Sequence, residues 1–291
     1  MNLKDSIEIL RPINCLMGAL TILIGLLNTR TGIPLNNLLI NIILGVLTYF
    51  FLAGAGMVIN DYYDYEIDKI NRPQRPIPRG SITLTQAKLL YIIYISIGIA
   101  ISIFNVLIFR LSFFIIIIAV IFGLIGLLYA KWGKRIGFLG NLIVSVSFSI
   151  GMIYGALLNS SYVPIYIYSF FLTSFFLLLS REVIKGCEDI EGDKKEGVKT
   201  LAIRIGIKKS TNLALIFASI AIAFYVFSFF SNIINPYLYF IFMVLGVLLV
   251  ASSIILMIRT NLDKKDFGKI SLLLKIGAFL GLLTFLLASI E

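Results

Sequence analysis

Nine apolar stretches of close to 20 residues organise this 291-residue sequence, near 13–29, 38–59, 88–109, 112–130, 138–158, 163–180, 211–231, 236–258 and 270–290. A helix needs about 20 mostly apolar residues to cross the hydrocarbon core of a bilayer. In that medium only a helix or a closed barrel satisfies its own backbone hydrogen bonds. Apolar residues make up 59% of the chain and charged residues 14%, too little polar surface to clothe a soluble globule. The expected fold is therefore all-α and polytopic, with nine transmembrane helices. The first stretch follows Lys4, Asp5, Glu8 and Arg11 with no small-residue cleavage site after a short apolar core, so it reads as a span and not as a removable signal peptide.

The position of the charges gives the orientation. Connecting segments, counted alternately from the N-terminus, hold 23 of the 25 Lys and Arg residues in the odd set, and only Arg30 and Arg110 in the even set. All of the 15 acidic residues except Glu291 lie on the odd side as well. Lys and Arg are retained in the cytoplasm during insertion. The N-terminus is thus expected to be cytoplasmic and the C-terminus outside, with nearly all polar chemistry on the cytoplasmic face of the cell membrane. The net charge of +10 then serves orientation and an anionic ligand, and a nucleic-acid partner is not expected. No histidine is present and the two cysteines, Cys15 and Cys187, have no metal-ligand spacing, which removes imidazole chemistry and a disulfide framework.

Two acidic clusters stand on that face. Asn60, Asp61, Asp64 and Asp68 close the second stretch, and at about 100° per residue they share an arc of roughly 100° on a continuing helix. Ala53, Gly54, Ala55 and Gly56 precede them, small enough for close helix approach. Lys69, Arg72, Arg75 and Arg79 follow, interleaved with Pro73, Pro76, Pro78 and Gly80, which end the helix and leave the arginines on a constrained loop. At the end of the sixth stretch, Glu182, Lys185, Asp189 and Asp193 fall on one face by the same arithmetic. Carboxylates spaced in this way suit a hard cation, and Mg²⁺ takes one or two of them together with water and substrate phosphates. Arginine and lysine beside them complete a diphosphate clamp. One such cluster alone is most simply a solvated helix end; two in matched positions on one membrane side are not. No carboxylate lies within an apolar stretch, against the pattern of ion-coupled carriers.

At these residues the chain resembles the UbiA superfamily of intramembrane prenyltransferases. Asn60, Asp61, Asp64 and Asp68 fit its NDxxDxxxD motif, and Arg72, Arg75 and Pro76 the following RxxRP. Asp189 and Asp193 fit its DxxxD, followed by Gly197, Thr200 and Leu201 as GxxTL. The stretch Tyr129-Ala130-Lys131-Trp132-Gly133-Lys134-Arg135, with Gly140 and Asn141 beyond it, is similar to another recurrent family segment. The resemblance covers essentially the whole chain. It implies one domain over 1–291, with motif-bearing halves of about 1–130 and 131–291, forming a bundle around a central cavity. It also implies Mg²⁺ bridging the motifs to an isoprenyl diphosphate donor.

Carried over residue by residue, the resemblance makes Asn60, Asp64, Asp68, Asp189 and Asp193 the expected metal ligands, the four aspartates being catalytic. Asp61 fits the motif without an assigned role. Arg72, Arg75, Lys131, Arg135 and Lys185 are expected at the diphosphate, with Arg79, Lys194 and Lys195 solvated. Asn14, Tyr129 and Asn141 are expected in the acceptor pocket, although each reads equally well as an interhelical hydrogen bond or an interfacial tyrosine. The second motif, with Glu191-Gly192-Asp193, resembles the form found in archaeal ether-lipid enzymes and in the homogentisate and chlorophyll branches. It departs from that form at Gly186, where an Asp is common, removing one potential ligand. The implied reaction is transfer of a geranylgeranyl group from its diphosphate to the hydroxyl of geranylgeranylglyceryl phosphate, a lipid-phosphate acceptor. The alternatives are an aromatic acceptor of the 4-hydroxybenzoate, 1,4-dihydroxy-2-naphthoate or homogentisate type, and a non-catalytic phosphate-lipid carrier.

Overall fold

The structure is a computed structural model and describes residues 3–133, 137–195, 197, 199–259 and 261–290. These residues form fourteen helices: α1 Leu3–Glu8, α2 Pro12–Asn28, α3 Leu35–Tyr63, α4 Tyr65–Asn71, α5 Leu84–Phe109, α6 Phe114–Lys131, α7 Phe138–Ser149, α8 Gly151–Leu157, α9 Ile165–Glu188, α10 Ile190–Lys195, α11 Leu201–Ile205, α12 Ile207–Phe229, α13 Pro236–Met257 and α14 Lys264–Leu287. Among the described residues eight helices are long and apolar enough to cross a bilayer, α7 and α8 together making one of them as Phe138–Leu157. The stretch expected as the first span forms α2, an apolar helix of 17 residues that is shorter than those eight.

Helix ends fall where the local chemistry dictates. Pro12, Pro34, Pro164 and Pro236 stand at or immediately before helix starts, where a missing N–H costs nothing. Thr83 and Gln86 form a reciprocal capping box at the head of α5, and Asp263 and Asp266 form another at α14. Each satisfies two donors that the first turn would otherwise leave unpaired.

The chain divides into two compact units, residues 1–132 with 154–162 and residues 133–153 with 163–291. In the first, α3 packs against α2, α5 and α6. The expected close approach occurs at Gly56, which meets Gly126 of α6 backbone to backbone, while Gly54 accommodates Leu10. Segment 154–162 joins this unit through amides: Asn41 Nδ2 donates to the Leu158 carbonyl at 2.8 Å, and Asn159 Nδ2 to the Leu26 carbonyl at 2.8 Å.

In the second unit α9 is the central helix, packed against α7, α12 and α14. The Ser180 hydroxyl donates to the Ala214 carbonyl of α12 at 2.8 Å. An aromatic cluster forms around Phe170, whose ring stacks on Phe285 at 4.0 Å between centroids. Within it, Tyr239 donates to the Tyr225 carbonyl at 2.7 Å and Tyr225 donates to Thr284 at 2.6 Å. Apolar side chains gain little from leaving lipid for protein, so such packing and internal hydrogen bonds hold membrane helices together.

The α3–α6 crossing is asymmetric. A Cβ on Gly126 would lie 2.9 Å from Gly56 Cα, whereas one on Gly56 would meet Gly126 Cα at an ordinary 3.7 Å. Gly126→Ala should destabilise the detergent-solubilised protein by about 1–3 kcal/mol, and Gly56→Ala should be neutral or stabilising. Thermal denaturation of the two variants checks this; equal loss in both would contradict the packing.

Candidate active site

The first motif is built where α3 ends. Asn60 and Asp61 occupy its last turn, Asp64 links it to α4, and Asp68 lies within α4. The interruption is slight: the Asp64 N–H donates to the Asn60 carbonyl at 2.9 Å, that of Asp68 to Asp64 at 2.8 Å, and that of Arg72 to Asp68 at 2.8 Å. The four-residue ladder anticipated from the sequence thus survives the break, and Asn60 Nδ2 also donates to Asp64 Oδ2 at 2.9 Å. Asp61, Asp64 and Asp68 are all buried.

Buried carboxylates need compensation, and two arginines provide it. Arg11, held in a left-handed conformation just before Pro12, places its guanidinium on Asp61. Arg75, from the proline-rich loop, bridges Asp61 at 3.1 Å and Asp68. Asp61, only 2% exposed, is therefore the shared counter-ion of two arginines, which gives it the role the motif left open. Arg72 is exposed at the end of α4. Arg79 is not simply solvated: it donates to both Glu8 oxygens at 2.9 Å and pairs with Asp5. Hydrogen bonding to Glu8, then to Asp5, raises the Arg79 guanidinium above its ordinary value against some desolvation. The loop after the first motif is thereby fastened to the N-terminal helix.

The second motif repeats the construction. Glu182 and Lys185 lie on the last two turns of α9, Asp189 joins it to α10, and Asp193 lies within α10. The N–H of Asp189 donates to the Lys185 carbonyl at 2.9 Å and that of Asp193 to the Asp189 carbonyl at 3.0 Å. Asp64 and Asp189 share one backbone conformation, φ −87°, ψ 4° and φ −99°, ψ 11°. Aligned on this hinge, Lys185 stands where the first motif has Asn60, Gly186 where it has Asp61, and Arg181 where it has Gly56. A Cβ on Gly186 would reach Thr200 at a comfortable 3.5 Å, so no close approach demands glycine there. The position aligned with Gly186 in the first unit neutralises arginines, so the second motif has glycine in place of the carboxylate that plays that part. Its aspartates are correspondingly more open, Asp189 exposed and Asp193 half-buried.

The remaining expected residues are distributed over the two units. Asn14 is exposed on the first turn of α2. Tyr129 is half-buried near the end of α6, and Lys131, its last residue, lies over the Trp132 ring at 4.4 Å. Asn141 is half-buried one turn into α7. Arg135 and the neighbouring Lys134 lie outside the described residues. Arg11 escaped sequence reasoning, because nothing local relates it to a carboxylate 50 positions away; its sole signal is an Arg-Pro pair at the start of an apolar stretch.

Among the described residues no three acidic or cysteine side chains gather so as to hold a metal by themselves. Arg11 and Arg75 draw Asp61 and Asp68 into ion pairs, and Asn60 engages Asp64. The donor chemistry nonetheless fits magnesium: every candidate ligand is a hard oxygen, the chain has no histidine, and both cysteines are buried. Mg²⁺ is ordinarily held by one or two carboxylates plus substrate phosphate, and does not require a preformed protein cage.

Removing Asp61 would leave two guanidinium groups without their shared partner, at a cost of about 3–5 kcal/mol. Asp61→Ala should therefore lower the melting temperature in detergent well below that of Asp64→Ala. A wild-type melting curve for Asp61→Ala would contradict the counter-ion role.

The UbiA prenyltransferase family profile matches residues 18–288. Digeranylgeranylglyceryl phosphate synthase of Methanosphaera stadtmanae is 36% identical, over 98% of both chains. A solved structure described as digeranylgeranylglyceryl phosphate synthase in membranes superposes with a TM-score of 0.85 at 32% identity, covering 99% of this chain and 98% of the other. A UbiA homologue from Archaeoglobus fulgidus, bound to DMAPP and Mg²⁺, shares the fold with a TM-score of 0.68 at 19% identity, over 96% and 99% of the two chains. By its motifs, its helices and these relatives over its full length, the chain belongs to the UbiA prenyltransferase family.

Proposed function

We propose that this enzyme transfers a geranylgeranyl group from geranylgeranyl diphosphate to the free hydroxyl of geranylgeranylglyceryl phosphate. The product is the second ether bond of an archaeal membrane lipid. The observation that carries this reading is the similarity, at 36% identity over 98% of both chains, to a digeranylgeranylglyceryl phosphate synthase. The two hinge-borne aspartate pairs supply a chemistry to match. The protein sits in the cell membrane with nine spans, counting α2, its N-terminus and both motifs at the cytoplasmic face and its C-terminus outside. The charge distribution supports that orientation.

Asn60, Asp64, Asp68, Asp189 and Asp193 are the residues that would hold magnesium beside the donor diphosphate. Bound magnesium supplies positive charge that makes diphosphate a better leaving group. Arg72, Lys131, Arg135 and Lys185 add positive charge for the same group, so that charge developing on the departing oxygen is met by cationic donors. Arg75 is engaged by Asp61 and Asp68, and its part is to surrender Asp68 while remaining on Asp61.

The allylic C–O bond breaks, and diphosphate departs with the electron pair. The acceptor oxygen then forms the ether bond at the same carbon and loses its proton to an oxyanion of the site. The apolar spans keep water from the carbocation and take the isoprenoid tails. Asn14, Tyr129 and Asn141 orient the acceptor.

Asp64→Ala and Asp193→Ala should each lower kcat at least 10³-fold while leaving the protein folded, and chelation should abolish turnover reversibly on readdition of Mg²⁺. Near-normal activity in either variant, or in the presence of chelator, would overturn the metal assignment. Assays measure prenylated product from geranylgeranyl diphosphate and geranylgeranylglyceryl phosphate.

A further inference from the structure

Arg181 lies on α9 one turn before Lys185 and two before Asp189, and four-residue spacing places the three side chains along one face of the helix. The opposite side is occupied, since Ser180 donates to α12 and Cys187 is buried in the core that includes Ala214 and Ala218. Arg181 Nη1 donates to Glu182 at 2.8 Å. Its Nε is buried and has no hydrogen-bond partner among the described residues. The side chain is 22% exposed, so the head group is neither free in water nor sealed in the core.

This is an uncommon expense in a membrane helix. A guanidinium drawn towards hydrocarbon is costly, and a buried N–H without an acceptor adds to the cost. The hinge alignment shows that the construction itself does not ask for it, because the first unit carries Gly56 at the matching position and uses it for helix packing. The residue is thus a departure between two otherwise parallel structures, with an unmet donor on the face that bears the second motif. An incoming oxyanion would meet that donor.

Resting on the proposed reaction, we propose that Arg181 binds the phosphate of the lipid acceptor and so selects a phosphorylated acceptor. The donor diphosphate is the less suitable ligand. Eight residues separate Arg181 from Asp189, about 12 Å along the axis, and helical side chains lean towards the N-terminus, which carries the Arg181 head group farther from Asp189. A second anionic group, distinct from the diphosphate held at the aspartates, is needed to reach it. Glu182 holds the guanidinium through Nη1 and leaves the Nε edge for the phosphate, a planar donor geometry that lysine does not reproduce.

The test compares geranylgeranylglyceryl phosphate with the same lipid lacking its phosphate, geranylgeranylglycerol, at saturating geranylgeranyl diphosphate and Mg²⁺. The wild-type enzyme should prefer the phosphorylated acceptor by kcat/KM. In Arg181→Gln that preference should fall at least tenfold, chiefly through KM for the acceptor, and in Arg181→Lys by an intermediate factor. An unchanged preference in Arg181→Gln, or a rise confined to KM for the donor, would overturn the assignment. Should Arg181→Gln not fold, the preference of Arg181→Lys decides in the same way, an unchanged value overturning it. Wild-type protein using both lipids equally would refute the inference alone, whereas wild-type protein using neither would refute the proposed reaction.

Discussion

A carboxylate leaving the hydrocarbon on the end of a spanning helix must be compensated, and the first motif depends on how that is done. Asp61 is nearly inaccessible and is shared by Arg11 and Arg75. Arg75 reaches on to Asp68, and Arg79 ties the same loop to Asp5 and Glu8. Three segments distant in sequence, the N-terminus, the end of α3 and the proline-rich loop, are thus joined by one charge network. The cost of breaking a buried pair greatly exceeds what an exposed pair contributes. The network accordingly fixes the loop, while the exposed ion pair of Lys69 with Glu66 adds little.

The second motif repeats the hinge with glycine in place of that counter-ion. Its aspartates occupy the same two places, one between helices and one within the short helix, but Gly186 replaces the counter-ion and the carboxylates are more open. Geometry is therefore repeated while electrostatics diverges. Arg181 and Lys185 stand where the first unit has Gly56 and Asn60, so the helix leading into the second hinge carries cations where α3 carries none.

Most of this was legible in the sequence, for identifiable reasons. Spanning helices are set by a length requirement and by the absence of charge, both visible in one dimension. The structure places α3, α5, α6, α9, α12, α13 and α14 across the expected stretches, with the fifth divided at Ile150 and the first met by α2, of the same 17 residues' length. The ladder of Asn60, Asp64 and Asp68 followed from helical spacing alone. Partners separated by many residues did not: the pairing of Arg11 with Asp61, of Arg79 with Asp5 and of Ser180 with Ala214 depends on tertiary packing. Arg181 was passed over for a related reason, since an arginine at a helix end is ordinarily a topological charge. Only the burial of its Nε sets it apart.

The central claim is the chemical identity of the reaction, and a competition measures it most directly. Purified protein in lipid, with Mg²⁺ and geranylgeranyl diphosphate, would be given equimolar geranylgeranylglyceryl phosphate, 4-hydroxybenzoate and 1,4-dihydroxy-2-naphthoate, and the products separated by mass spectrometry. The account predicts a single product, the doubly geranylgeranylated glyceryl phosphate, carrying a new ether bond. Prenylation of an aromatic ring with the lipid acceptor untouched would contradict it.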